Sequence, residues 1–292
     1  MSWRTVVVTG HAKLDYKMDY LVVRKQEETS RVYIGEIGLL LIASTAVSMT
    51  AMLLSELTKN KVKIIFCDEK RNPQSEIIPY YGSHDTSMKV KQQISWSQFI
   101  KDEVATEIVR EKIKKQMEFL YELGYEQQGD LLKQYTRELQ LKDETNREGH
   151  AAKVYFNALF GMDFVRNEET PINAALNYGY SILLSCFNRE IVSAGYITQL
   201  GIFHDNRFNQ FNLASDFMEP FRILIDKKVI EISPDDFGKA EKIAIVDILN
   251  QNVMIEQKSH TVNNAIKIYC RSLFEALNNG EISDIKFYKN EL

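Results

Sequence analysis

The pattern of apolar residues divides the chain near residue 75. Before that point, short β-branched runs between turn-forming residues predict strands at 5–8, 20–24, 31–34, 37–42 and 62–66, with one helix at 50–57. Gly10, Asp15 and the polar stretch 27–30 are predicted turns. After it, apolar residues recur every three or four positions, which predicts helices at 96–123, 131–141, 146–160, 171–194, 235–249 and 260–277. This division predicts an α+β fold, with a small N-terminal β-rich domain followed by a larger all-α C-terminal domain.

The segment between the two parts is rich in residues that interrupt regular structure. Pro73, Pro79, Gly82 and Ser83 lie close together there. We therefore predict a β-rich domain at 1–75, a linker at 76–95 and an α-helical domain at 96–292. Pro171 suits the first turn of the helix at 171–194, which is apolar on most sides and is expected at the centre of the core.

Composition places the chain among globular proteins, because 45% of its 292 residues are hydrophobic and 26% are charged. The best candidate for a membrane span, 37–54, is interrupted by four Ser and Thr residues, so no span is expected. The three cysteines are far apart, which favours free thiols in a reducing bacterial cytoplasm over disulfides or a zinc site. The net charge of −4 leaves nucleic-acid binding open.

Residues 201–222 bring together a histidine, several carboxylates and two arginines. His204 lies in a segment with Gly and Asn that is predicted as a loop. Asp216 and Glu219 are three residues apart, so on a helix both would point to one face, where like charges repel unless a cation lies between them. One imidazole and two carboxylates suit a divalent metal ion. The spacing alone is equally compatible with a surface histidine and two solvated acids.

A metal site of this kind needs a third protein ligand. Glu148, near the start of the helix at 146–160, is the candidate, and Gly149 beside it would let a backbone or a phosphate approach closely. His150 competes for this role, but two residues from Glu148 it would face away from it on a helix. A lone helical glutamate is usually solvated, so the pattern by itself leaves both interpretations open.

Basic residues form a loose cluster in the linker and the first long helix: Lys89, Lys91, Lys101, Arg110, Lys112, Lys114 and Lys115. They would suit phosphate contacts, but a solvated helix face paired with Glu107 and Glu111 is the simpler explanation. Tyr178 and Tyr180 lie in the apolar helix at 171–194 and are predicted to be core residues rather than base-stacking platforms.

Several segments occur in the order that a known family shows. They are Arg147-Glu-Gly before an Ala-containing helix, the stretch 171–180, Ala194-Gly-Tyr, Gly201-Ile-Phe-His and Leu213-Ala-Ser-Asp-Phe-Met-Glu-Pro-Phe-Arg. In these residues the chain resembles the CRISPR-associated integrases of spacer acquisition, in the shorter form of type II systems. The N-terminal half is similar too, at 47–50 and 62–66, so the resemblance covers essentially the whole chain.

The resemblance implies a metal site that holds Mg²⁺ or Mn²⁺ in the helical domain. Glu148, His204 and Glu219 match the family's three metal ligands, which are also its catalytic residues. Asp216 matches a neighbouring acid that contacts a second ion or orients the ligands. Many members have aspartate at the position of Glu219, and the longer side chain is expected to keep the metal but to shift its position.

The implied reaction is an attack by a DNA 3′-hydroxyl on a phosphodiester of a second duplex, which joins a protospacer to the leader-proximal repeat of a CRISPR array. A divalent metal suits this phosphoryl transfer because it activates the hydroxyl or shields charge at phosphorus. The arginines that match positions near the DNA are Arg147, Arg207 and Arg222. For Arg222, a structural ion pair is an equally good explanation.

The resemblance also implies partners besides double-stranded DNA. They are a second copy of the chain bound through the β-rich domains, a small ferredoxin-like protein that completes a heterohexamer and, in type II systems, the effector nuclease and a ring-forming DNA-binding protein. Two other functions remain compatible with the residues. A stand-alone metal-dependent nuclease or branched-DNA resolvase would cut without the small partner, and a non-catalytic DNA-end-binding scaffold would keep every activity after Glu148→Ala. The intact Glu, His and Glu set favours the integrase.

Overall fold

The computed structural model of the protein describes residues 4–26, 28–80 and 83–290. Glu27 and Gly82, which were predicted in a turn and in the linker, lie outside these residues. The N-terminal region consists of β1 (Arg4–Val8), β2 (Ala12–Lys17), β3 (Tyr20–Arg24), β4 (Thr29–Tyr33), β5 (Ile37–Ile42), β6 (Val47–Met49), α1 (Ala51–Lys59), β7 (Lys63–Cys67) and β8 (Pro73–Ile77). The rest consists of α2 (Thr86–Ser95), α3 (Gln98–Glu122), α4 (Glu126–Glu138), α5 (Arg147–Phe160), α6 (Pro171–Ser193), α7 (Asn212–Phe217), α8 (Arg222–Ile232), α9 (Lys239–Val246), β9 (Asn252–Ile255), β10 (Lys258–Thr261), α10 (Val262–Asn279) and β11 (Lys289–Asn290).

The N-terminal strands form two four-stranded sheets. In the first, ordered β1-β5-β7-β8, strand β5 pairs in parallel with β1 and β7, and β8 is antiparallel to β7. In the second, ordered β4-β3-β2-β6, only the pairing of β2 with the short β6 is parallel. The fold is therefore α+β, with the strands concentrated in the N-terminal region.

Strand β5 is buried on both faces, which explains its continuous apolar sequence. Leu40 and Ile42 pack into a small core shared with the second sheet and α1. Leu39 and Leu41 pack into the large core that the helices form. The first sheet thus separates the small core from the large core. The predicted domain limits at 75 and 96 stay a prediction.

The hairpin between β2 and β3 turns at Met18 and Asp19, which have positive φ angles of 49° and 64°. Two such residues in a row are typical of tight hairpins. Asp15, predicted as a turn residue, instead lies within β2 beside the fully buried Leu14. That prediction was wrong because alternation along a strand places a polar residue next to each buried one.

Side-chain caps define the beginnings of several helices. The hydroxyls of Thr50, Ser97, Thr170 and Thr261 each accept a backbone N–H at the start of α1, α3, α6 and α10. Pro171 occupies the first turn of α6 as predicted, and α6 is buried along most of its length. Tyr178 and Tyr180 on this helix are buried, which confirms them as core residues.

Two predicted regions differ from the structure. Helix α2 occupies the second half of the predicted linker at 76–95, and the Pro and Gly residues that suggested a linker all precede it. The C-terminal region is not all-α, because β10, β9 and β11 form an antiparallel sheet. The turn between β9 and β10 uses Glu256 and Gln257 at positive φ, and these residue types carry none of the usual Gly or Asn signal.

The described part of the chain contains no helix long and apolar enough to cross a membrane. Cys67, Cys186 and Cys270 are buried and have free thiols. Burial raises the pKa of Cys67 and of Cys186 to about 11, so both thiols stay protonated and unreactive near neutral pH.

Helices α6 and α8 approach each other closely at Gly179. A Cβ atom at this position would lie 2.4 Å from Cγ2 of Ile225, which is buried on α8. The next residue on α6, Tyr180, donates a hydrogen bond to Asp226 on α8. Close packing at Gly179 therefore sets the distance between two helices that carry residues of the cleft described below.

Replacing Gly179 with valine is expected to destabilise the protein by about 2 kcal/mol, because the added carbons overpack the contact with Ile225. Urea unfolding measures the effect. A Cβ atom at Gly10 would meet no other heavy atom within 4 Å, so Gly10→Val serves as a control with a change within about 0.5 kcal/mol. Equal stability of the two variants would contradict the packing argument.

Candidate active site

A cleft of about 1040 Å³ is lined mainly by residues of the C-terminal region, with Lys70 and Asn72 contributed by the N-terminal region. Its acidic lining residues are Glu148, Glu168, Glu169, Glu219, Asp226 and Asp236. Its basic lining residues are Lys70, Lys112, Arg166 and Arg222, and His204 lines it as well. Carboxylates thus outnumber the lysines and arginines in the lining. Such a cleft would repel a polyanion unless metal ions compensated the negative charge.

Glu148 is positioned by the way helix α5 begins. The carboxylate of Asp143 accepts the backbone N–H of Arg147 at 2.7 Å and that of Glu148 at 2.9 Å. This satisfies two N–H groups that otherwise lack partners at a helix start. The Glu148 side chain lines the cleft, whereas His150, two residues later, is exposed outside it, as the helical spacing predicted.

His204 is held by the carboxylate of Asp216 on α7. Asp216 accepts the backbone N–H groups of Ile202, Phe203 and His204 at 2.7, 3.1 and 2.9 Å, and its Oδ1 lies 2.6 Å from Nδ1 of His204. A buried carboxylate thereby fixes both the loop and one ring nitrogen. The Nε2 atom remains available, as in metal-bound histidines that bond a carboxylate through the other nitrogen.

Gly201 makes this loop geometry possible. A Cβ atom at this position would lie 2.3 Å from the carbonyl oxygen of His204 and 2.8 Å from Oδ2 of Asp216. Any side chain would therefore push the loop away from the carboxylate that holds it.

Glu219 lies outside the helix that carries Asp216. Helix α7 ends at Phe217, and Glu219 begins a short 3-10 turn, Glu219–Phe221, that contains Pro220. Proline has no N–H to continue an α-helix, so the chain bends where the sequence predicted. The expectation that Asp216 and Glu219 share one helix face was wrong, and the two carboxylates have different partners.

One ammonium group bridges Glu219 and Glu148. Nζ of Lys112, on α3, lies 2.5 Å from Oε1 of Glu148 and 2.7 Å from Oε2 of Glu219. Burial alone would raise the pKa of Glu219, but the charges of Arg222 and Lys112 outweigh it and lower the pKa to about 2. Burial alone would lower the pKa of Lys112, but the charges of Glu219 and Glu148 keep it above its ordinary value. Glu219 and Lys112 are therefore both charged near neutral pH.

The donor atoms of this site fit a hard divalent ion. Oε2 of Glu219 is buried and, despite its 2.7 Å contact with Lys112, receives no hydrogen bond of normal geometry. Two carboxylates and the free Nε2 of His204 are ligands that Mg²⁺ and Mn²⁺ accept. As the side chains stand, the described residues contain no group of three His, Cys, Asp or Glu arranged to hold a metal. The ammonium of Lys112 contacts two of the three donor side chains, Glu148 and Glu219.

Behind Glu219, Arg222 connects the site to the core. Its Nε and Nη2 both lie 3.0 Å from Oε1 of Glu219, and its guanidinium lies 4.6 Å from the centre of the Tyr180 ring. Tyr180 and Tyr155 both donate hydrogen bonds to Asp226. Burial raises the pKa of Asp226 to about 6, although these two bonds lower it. Arg222 therefore makes the structural ion pair, and a phosphate contact by it stays a prediction.

The other two arginines predicted near DNA have different surroundings. Arg147 pairs with Glu138 at 2.9 Å and lies 5.3 Å from the centre of the Tyr135 ring. Arg207 is exposed in the loop after His204, and its guanidinium lies 5.5 Å from the Phe208 ring. An exposed arginine beside an aromatic ring suits contact with DNA. The DNA-binding roles of Arg147 and Arg207 stay predictions.

Lys112 was predicted only as a member of a loose basic cluster. Arg110 and Lys114 of that cluster pair with glutamates one turn away on α3, as a solvated helix face would. Lys112 differs because its ammonium reaches carboxylates on two other elements, Glu148 and Glu219. Its spacing from the buried Ile108 and Phe119 did not identify it, because Lys115 of the same cluster is buried at an equivalent spacing.

Comparisons with known proteins agree on one family. A family model described as CRISPR associated protein Cas1 matches residues 5–247. A CRISPR-associated endonuclease Cas1 of Neisseria meningitidis is 33% identical over 271 residues, which covers 91% of this chain and 89% of that protein. Another, from Pyrobaculum aerophilum, is 26% identical over 246 residues, covering 78% of this chain and 82% of that protein.

Solved structures show the same fold. A casposase bound to its integration product superimposes with a TM-score of 0.75 at 19% identity, covering 96% of this chain and 91% of that one. A Cas1 protein from Thermotoga maritima gives a TM-score of 0.73 at 16% identity, covering 94% and 97%. In a Cas6-RT-Cas1–Cas2 complex the TM-score is 0.74 at 19% identity, and 97% of this chain matches 36% of a longer one.

Replacing Asp216 with asparagine should lower the pKa of His204, because the hydrogen bond that the ring donates to the Asp216 carboxylate raises this pKa, whereas burial lowers it. A raised histidine pKa contributes stability that is fully present below the ordinary value of about 6.5 and is lost as pH rises through the raised value. The stability difference between wild type and variant, about 1–3 kcal/mol from the lost hydrogen bonds, should therefore be larger at low pH.

This prediction is checked by following the His204 ring by NMR in metal-free protein and by urea unfolding at about pH 5.5 and about pH 8.5. Gly201→Ala keeps the carboxylate but displaces the loop, so it should shift the His204 midpoint in the same direction. An unchanged midpoint in both variants would show that Asp216 does not control this ring.

Proposed function

Because the chain belongs to the Cas1 family of CRISPR-associated proteins, we propose that it is a metal-dependent DNA endonuclease and integrase of CRISPR adaptation. It joins the 3′-hydroxyl ends of a protospacer to the leader-proximal repeat of a CRISPR array. The observation that carries this proposal is the convergence of Glu148 and Glu219 on a single cation, with His204 in the same cleft. Carboxylates and one imidazole around an open cleft suit metal-assisted phosphoryl transfer.

Glu148, His204 and Glu219 would hold Mg²⁺ or Mn²⁺, which supplies charge stabilisation at phosphorus and acidity at the attacking hydroxyl. The chain's own residues prepare the donors. Asp216 fixes the His204 loop and leaves Nε2 without a proton when the ring is neutral. The low pKa of Glu219 keeps its carboxylate ionised.

The joining step conserves bond types. The oxygen of the protospacer 3′-hydroxyl forms a bond to phosphorus of the target strand, and the bond from that phosphorus to the target 3′-oxygen breaks. The attacking hydroxyl gives up one proton and the leaving oxygen takes one. The reverse reaction, on branched DNA, uses the same groups, and water in place of the hydroxyl cuts the strand. One set of residues therefore serves both integrase and endonuclease activities.

The partners of the protein are double-stranded DNA and a Cas2 protein. The choice of these two partners rests on solved structures of the same fold. One is bound to an integration product, and another is part of a Cas6-RT-Cas1–Cas2 complex. We further propose a homodimer through the N-terminal β-rich region and a heterohexamer with Cas2, acting in the bacterial cytoplasm. The type II assignment, with its effector nuclease and ring-forming protein, rests on the sequence motifs.

A half-site joining assay tests this function. A labelled duplex with a free 3′-hydroxyl is incubated with a supercoiled repeat-containing plasmid, with Mg²⁺ or Mn²⁺, with and without Cas2. Joining is expected to require the metal, and His204→Ala or Glu148→Ala should slow it more than about 100-fold, since losing a ligand costs more than losing an outer partner. His150→Ala is the matched control, because this exposed histidine lies on the same helix as Glu148.

A duplex with a 3′-dideoxy end separates the two activities, because it cannot attack but leaves hydrolysis possible. If wild type only nicks DNA, and Cas2 changes nothing, the protein is a stand-alone nuclease. If Glu148→Ala and His204→Ala join DNA as fast as wild type, the proposed metal site is wrong and a scaffold role replaces it.

A further inference from the structure

The Lys112 side chain occupies the point at which the two carboxylates of the site meet. Its Nζ contacts Glu148 on α5 and Glu219 in the turn after α7, at 2.5 and 2.7 Å. Only 14% of the side chain is exposed. The cation that balances these carboxylates is therefore supplied by a third element, α3, and is a covalent part of the chain.

The charges around this point balance without any added ion. Glu148 and Glu219 carry one negative charge each, and Lys112 and Arg222 carry one positive charge each. Arg222 contacts the other oxygen of Glu219, Oε1, so it does not compete for the point where the carboxylates meet. A divalent ion held by Glu148 and Glu219 would displace the ammonium and add two positive charges to these four groups.

A displaced ammonium in this cleft would need a new anionic partner. Only 14% of the Lys112 side chain is exposed, and an unpaired charge that is largely removed from water is costly. The anion that enters this cleft during the reaction is the phosphodiester under attack, whose charge rises from one to two as the new bond forms.

We propose that Lys112 is a catalytic residue. In the metal-free protein its ammonium holds Glu148 and Glu219 together. When the divalent ion binds, the ammonium leaves this position and contacts a non-bridging oxygen of the phosphodiester under attack. The inference rests on the proposed function, since it needs the metal and the DNA. A purely structural ion pair is the alternative, and in that case the ammonium would keep its place whether or not metal is present.

Metal binding tests the first half of the proposal. Mn²⁺ is titrated into metal-free wild type, Lys112→Met and Lys114→Met, and free Mn²⁺ is followed by electron paramagnetic resonance. Removing the competing ammonium should tighten binding on the order of tenfold in Lys112→Met. Lys114 is an exposed lysine on the same helix, so Lys114→Met should bind as wild type does. Mn²⁺ should also raise the melting temperature of Lys112→Met more than that of wild type.

Joining kinetics test the second half. At saturating Mn²⁺, the single-turnover rate of Lys112→Met should fall by about 100-fold, as for loss of one group that stabilises transition-state charge, while affinity for the DNA changes only a few-fold. Lys112→Arg keeps the charge and should retain a larger share of the rate. If circular dichroism shows that Lys112→Met is poorly folded, Lys112→Arg tests the proposal in its place.

The outcomes separate this inference from the proposed function. A wild type that binds no Mn²⁺ and joins no DNA would overturn both. A wild type that binds Mn²⁺ and joins DNA, with Lys112→Met equal to it in Mn²⁺ affinity or in joining rate, would overturn the role of Lys112 alone. Tighter Mn²⁺ binding together with slower joining would support it, because a structural ion pair predicts no gain in metal affinity.

Discussion

Pairing of buried charge determines the arrangement of the cleft. Glu148 and Glu219 come from segments far apart in sequence, and each would repel the other if no cation lay between them. Lys112 on α3 provides that cation, and Arg222 at the start of α8 pairs with the other oxygen of Glu219. Because a buried carboxylate without a partner is costly, the packing of these helices and the ionisation of the site depend on each other.

The hydrophobic core holds these charges at fixed distances. Gly179 lets α6 and α8 approach each other, and Tyr180 then reaches both Asp226 and the guanidinium of Arg222. The ion pair of Arg222 with Glu219 is thereby anchored to a helix in the middle of the molecule. Strand β5, which is buried on both faces, packs against the same large core.

The sequence predicted elements well where their periodicity or caps are local properties. Thr170 and Pro171 mark the start of α6, and the apolar run of β5 predicts a buried strand. It failed where the information lies in tertiary contacts. The turn at Glu256 and Gln257 uses residue types without turn preference, so the small C-terminal sheet was missed.

The site shows the same limit. The residue types and their order suggested Glu148, His204 and Glu219 as a group, with Asp216 as either a ligand to a second ion or an orienting residue. Spacing could not decide between these two roles of Asp216, because its partners are backbone N–H groups of a loop twelve to fourteen residues earlier. Lys112 was missed for a related reason, since only its contacts with Glu148 and Glu219, which lie far away in sequence, distinguish it from the other lysines of α3.

The excess of carboxylates over cations in the cleft bears on how DNA enters it. A phosphodiester approaching Glu148 and Glu219 meets repulsion that one ammonium and one guanidinium only balance. A divalent ion at the site would offset that repulsion, so an ion that assists the chemistry would also ease the approach of DNA. Binding of metal and of DNA should therefore be mutually favourable at this site, since each lowers the electrostatic cost of the other. Arg207, which is exposed outside the acidic lining, stays the predicted contact with the duplex away from the reacting phosphate.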